Sequence, residues 1–109
     1  SKVASGQLTY AVRDTQIDDL VIKKDDILGM VEGKITAVGR DMDDVLNKVV
    51  SEMVDEDTEF ITVYCGKDVK QSQADRMLKA FEAKYEKDEI EVSFKKGGQP
   101  LYYYIISVE

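Results

Sequence analysis

Gly97-Gly98-Gln99-Pro100-Leu101-Tyr102-Tyr103-Tyr104-Ile105-Ile106-Ser107-Val108-Glu109 is the stretch whose reading decides the fold. It holds the only proline, the only Gly-Gly pair and half of the 6 tyrosines. Glycine and proline punctuate the chain, and the residues after them stay mostly apolar to the penultimate position. A chain end frays unless packing ties it down, so this run predicts a core strand over residues 102–108. The tight turn ahead of it predicts a hairpin with the preceding strand, in which Ile90, Val92 and Phe94 alternate with Glu91 and Ser93.

Working outward, Phe60 to Cys65 is apolar apart from Thr62, which predicts a strand buried on both faces or nearly so. Gly66 supplies its turn. Ala74, Met77, Leu78, Phe81 and Tyr85 form the stripe of a helix from about Gln71 to Tyr85. Val69 and Ala74 are placed to staple its start, while Lys70 is a weak cap. Strand, helix and strand over residues 60–94 fit a right-handed crossover.

Upstream, Met42, Val45, Leu46, Val49, Val50, Met53 and Val54 form one apolar stripe of a helix over Asp41 to Val54. Asp41 is its expected N-cap, and Asp43 and Asp44 suit the positive end of the helix dipole. Ile27 to Val31 and Lys34 to Val38 flank Glu32-Gly33 as a hairpin. Gln7 to Val12 reads as a strand with Leu8, Tyr10 and Val12 on one face. Arg13-Asp14-Thr15 is a polar break, Ile17 to Ile22 a single short extended piece, and Lys23-Lys24-Asp25-Asp26 a charged turn. The reading is an α/β (α+β) two-layer sandwich: a mixed β-sheet with two main helices on one face. It is a single domain over residues 1–109, without repeat or linker.

The 109 residues suffice for a core without staples. No apolar run approaches the roughly 20 residues of a membrane span, and the opening residues lack a charged-then-apolar signal pattern. Net charge is −7, with 15 basic residues scattered among 22 acidic ones. Nucleic-acid binding needs clustered lysine and arginine, so it is set aside, as is membrane insertion. One cysteine allows no internal disulfide and fits a reducing cytosol. With no histidine, the commonest general base and neutral metal ligand is missing. The start Ser1-Lys2-Val3 reads as that of an excised domain.

Candidate sites are few. Cys65 ends a strand before Gly66 with Lys67 close, but no histidine is present to activate it; a small structural hydrophobe is the favoured reading. Asp41, Asp43 and Asp44 lack the alternating ligand spacing and central glycine of a calcium loop. Gly97 to Pro100 matches neither phosphate-loop pattern and precedes a strand, which favours a turn over a phosphate cradle. The tyrosines should alternate, Tyr102 and Tyr104 one way and Tyr103 the other. Either they are core alone, or one set adds an interface, since aromatics favour interfaces. Tyr102, Tyr103, Tyr104 and Gln99 are therefore the candidate partner contacts. The residues themselves point to no catalytic, cofactor or metal site.

Four segments in order carry a family resemblance: Thr9-Tyr10-Ala11-Val12-Arg13-Asp14-Thr15; Ile22-Lys23-Lys24-Asp25-Asp26-Ile27-Leu28-Gly29 with Gly33-Lys34-Ile35; Val63-Tyr64-Cys65-Gly66-Lys67-Asp68-Val69; and Gly97-Gly98-Gln99-Pro100-Leu101-Tyr102 with Tyr104-Ile105-Ile106-Ser107-Val108-Glu109. Together they resemble the C-terminal part of bacterial fatty acid kinase large subunits (FakA or YloV-type proteins with a dihydroxyacetone-kinase-like domain). Tyr103 stands where that family often has proline, and Lys70 where it has a serine or threonine cap. The resemblance implies a cytoplasmic parent protein with an ATP- and magnesium-binding kinase domain elsewhere. It implies phosphorylation of a fatty acid held by a separate DegV-like carrier, FakB, with the acyl phosphate entering phospholipid synthesis. It further implies a DegV-like fold for this region and a docking role towards the carrier. No cofactor is carried over to these residues, and a homodimer is left open. A small-molecule or lipid-binding domain is the alternative, and an independent enzyme is third.

Overall fold

A computed structural model describes residues 3–109. Ser1 and Lys2, read as the opening of an excised domain, lie outside the described residues. Eight strands and two α-helices follow one another: β1 Ala4–Tyr10, β2 Thr15–Ile17, β3 Leu20–Ile22, β4 Ile27–Val31, β5 Lys34–Gly39, α1 Met42–Met53, β6 Phe60–Cys65, α2 Gln71–Tyr85, extended by a 3-10 turn Glu86–Asp88, β7 Glu91–Lys96 and β8 Tyr104–Val108. Six strands form one mixed sheet in the order β5-β4-β1-β8-β6-β7, and β2 and β3 form a separate pair. The predicted α+β class stands.

The helices arise where the stripes placed them. Val45, Leu46, Val49, Val50 and Met53 of α1 are buried, as are Ala74, Met77, Phe81 and Tyr85 of α2. They share one core with Leu8, Ile61, Val63, Tyr104, Ile106 and Val108 of the sheet, so both helices cover the same face. The Asp41 carboxylate accepts from the Asp44 N–H at 3.1 Å, the expected N-cap. α1 lies close on the sheet because Gly29 has no side chain: a Cβ there would meet Val49 at 2.5 Å and Val45 at 2.9 Å. The hairpin of β4 and β5 turns at Glu32 and Gly33, whose φ angles of 50° and 79° suit a tight two-residue connection.

Several expectations need correcting. β7 and β8 form no hairpin: β6 lies between them, parallel to β7 and antiparallel to β8. Residues 97–103 are thus a crossover rather than a hairpin turn. Seven residues reach roughly 23 Å when extended, ample to step past one strand at about 4.8 Å spacing on each side. The last strand starts at Tyr104 rather than Tyr102, since the Pro100 carbonyl accepts from the Tyr102 N–H in a local turn. Residues 17–22 are not one extended piece but most of the β2–β3 hairpin, reversing at Asp18, whose φ is 54°. β1 ends at Tyr10, and Val12 is exposed.

β6, expected to be buried on both faces, is buried on one only. Ile61, Val63 and Cys65 enter the core while Phe60 and Tyr64 are 43% and 38% exposed. Helices cover one side of the sheet alone, so apolar residues of the opposite phase meet no second layer. β8 itself is the core strand expected of the C-terminal run. It pairs on both sides, and the Glu109 carbonyl accepts from the N–H groups of Glu59 and Phe60.

Candidate functional site

Register assembles the outer sheet face from several strands. Ile35 pairs with Met30, Met30 with Gln7, Gln7 with Ile105, and Ile105 with Tyr64. The row crosses five strands and is apolar at every position except Gln7. Leu28, paired with Val38, extends it towards the end of the sheet where β1 finishes. The Thr9 hydroxyl donates to the Leu101 carbonyl at 2.8 Å, bringing 63%-exposed Leu101 to that same end.

The β2–β3 hairpin stands at this end too. A two-stranded hairpin is marginal by itself, and this one is moored at its base. Ile22 is buried, the Asp26 carboxylate accepts from the Lys23 N–H at 2.9 Å, and the Asp14 carboxylate accepts from the Lys24 N–H at 2.8 Å. Its remaining apolar residues, Ile17, Leu20 and Val21, are exposed, Val21 by 62%. Val12, Ile17 and Leu28 line a shallow groove between hairpin and sheet, so the hairpin and the outer face make one surface.

The four residues singled out in the sequence do not share one exposed face. Tyr104 is 0% exposed, with its ring 6.3 Å from that of Phe94. Its hydroxyl has no hydrogen-bond partner among the described residues, and burial pushes its pKa well up. Tyr103 is partly buried against the Tyr10 ring at 5.8 Å. Strict alternation fails because Tyr102 and Tyr103 precede the strand. Only Tyr102 presents an exposed ring. Gln99 staples the crossover to β6, donating from Nε2 to the Tyr64 carbonyl at 2.9 Å. Sequence reasoning missed Met30, Ile35 and Ile105, and the hairpin residues. The available signal was the Phe60, Thr62, Tyr64 phase of β6, which needed no burial.

A second concavity opens where β6 and β7 end and α2 begins. It encloses about 220 Å³. Cys65, Val69, Ala74, Leu78 and Phe94 line its apolar part, and Lys67 and Lys96 bring positive charge; Lys95, at the rim, pairs with Tyr64 and shares the outer sheet face. The Cys65 thiol is buried and its pKa is pushed up by burial, the opposite of an activated nucleophile. Asp43 pairs with Arg76 at 2.8 Å across the two helices. Among the described residues no three histidine, cysteine, aspartate or glutamate side chains gather to hold a metal. No helix is long and apolar enough to cross a membrane.

A half-covered sheet with an apolar outer face and a projecting apolar hairpin defines an α+β module with a broad surface suited to binding. Residues 1–109 match the FakA-like C-terminal family of fatty acid kinase. The chain belongs to that family. It is 44% identical to an uncharacterized protein of Staphylococcus aureus strain USA300 and 43% identical to one of strain MRSA252, in each case over all of this chain and 20% of the relative. The chain thus spans about a fifth of the length of the curated relatives it matches.

Proposed function

We propose that this chain is the docking module of a FakA-type fatty acid kinase, and that it engages the DegV-like subunit carrying the fatty acid, so that the acyl group is phosphorylated by an ATP- and magnesium-dependent domain elsewhere in a longer cytoplasmic parent. The family membership supports the kinase setting. The observation that carries the docking role is the uncovered apolar row Ile35, Met30, Ile105 and Tyr64, continuous with the β2–β3 hairpin. Partially exposed aromatic and aliphatic residues of this kind form the desolvated centre of protein interfaces. Tyr102 and Leu101 lie at its edge, and Gln99 holds their segment against β6.

Size-exclusion chromatography of the chain with the fatty-acid-loaded carrier tests this. Co-elution is expected, and its loss is expected for the exposed pair Val21→Asp and Tyr102→Ala, with circular dichroism unchanged. Separate elution of two folded proteins at tens of micromolar sinks the proposal.

A further inference from the structure

We infer that the cleft at the carboxyl ends of β6 and β7 binds a small phosphate-headed molecule with a short apolar body. Ligands of open α/β sheets settle beyond the carboxyl ends of parallel strands. Here β6 and β7 are parallel, joined through α2, whose first residue Gln71 lines the cleft. The charge there runs against that of the molecule. The chain carries a net −7, yet the cleft gathers Lys67 and Lys96 against Asp75 alone. Asp75 is already engaged, accepting from the Gln71 side chain at 2.8 Å.

Hydrogen-bond donors are free as well. Lys70 caps α2 with no side-chain bond, and the N–H group of Gln71, which lines the cleft, has no acceptor among the described residues. A phosphate oxygen fills that need. Opposite the lysines, Val69, Ala74, Leu78 and Phe94 offer an apolar floor with the Cys65 thiol beside it. The volume of about 220 Å³ falls below the roughly 300–1,000 Å³ of drug-sized pockets, which suits a short carbon body.

The test uses the chain without any protein partner, so its outcome is independent of the docking proposal. Amide NMR shifts and the rate of Cys65 alkylation are followed with millimolar butyl phosphate, inorganic phosphate and butanol. Butyl phosphate should shift the amides of residues 66–72 and 96–98 and slow alkylation several-fold. Inorganic phosphate should act more weakly and butanol not at all. The double variant Lys67→Met and Lys96→Met, both exposed, should fold normally and lose the response. Absent shifts, an equal response to butanol, equal binding of inorganic phosphate, or a response that survives the lysine changes would each overturn the inference. Where the buried thiol proves too slow to alkylate, the NMR arm decides alone.

Discussion

Tyr104 shows how a single residue reports on its surroundings. Its ring fills the centre of the core, but its hydroxyl is buried without a partner. An unsatisfied buried polar group costs about 1–3 kcal/mol. Tyr104→Phe should therefore leave stability unchanged or raise it by about 1 kcal/mol, as read by urea unfolding; a loss of more than that means the hydroxyl is hydrogen-bonded. Burial also holds the Cys65 and Tyr104 protons on, above the ordinary values of 9.0 and 10.0. Unfolding frees both to ionise, so their contribution is intact below about pH 9 and is lost as pH rises beyond it. Denaturation midpoints measured upward from neutrality should fall on the alkaline side, and less steeply in a Cys65→Ala, Tyr104→Phe double variant. Cys65 was legible as a small buried side chain, because the absence of histidine left it no activating base. Tyr104 was not legible in the same way. The alternation of three consecutive tyrosines pointed Tyr102 and Tyr104 the same way, and only the turn at Pro100 separates them.

Elements were the most legible scale. Both helices could be read from their stripes, because burial of one face at 3.6-residue spacing leaves a pattern that no other structure imitates. Their ends differ in a testable way. Asp41 caps α1, whereas Lys70 leaves α2 uncapped. Asp41→Ala should cost about 0.5–2 kcal/mol, and Lys70→Ser should stabilise by up to about 1 kcal/mol; thermal unfolding of the two variants should move in opposite directions. A Lys70→Ser cap that lowers stability would mean the helix start is already satisfied. Strand pairing was far less legible. Gly97-Gly98-Gln99-Pro100 is equally compatible with a tight hairpin and with a longer step over β6, since turn residues set local geometry and not the neighbour. The β2–β3 hairpin was hidden because three-residue strands are too short for a period to show.

At the scale of the molecule, the question is why an apolar sheet face stays open. A sheet with helices on one side can leave the other to water when that side is polar. Here Phe60, Tyr64, Ile105, Met30 and Ile35 sit among Ser5, Gln7, Thr62 and Ser107, a mixture suited to a partner and not to water alone. No pattern in the sequence says how many layers cover a sheet, which is why β6 read as buried on both sides. The family match supplies the kinase context and the geometry an open apolar surface; the central proposal is that this surface receives the fatty-acid-carrying protein. Titration calorimetry of the chain with that carrier, loaded with fatty acid, tests it most directly. The account predicts saturable heat for the native chain and none for a Phe60→Lys, Tyr64→Glu variant that keeps the native unfolding midpoint. Absence of heat with the native chain folded, or undiminished heat with the variant, contradicts it.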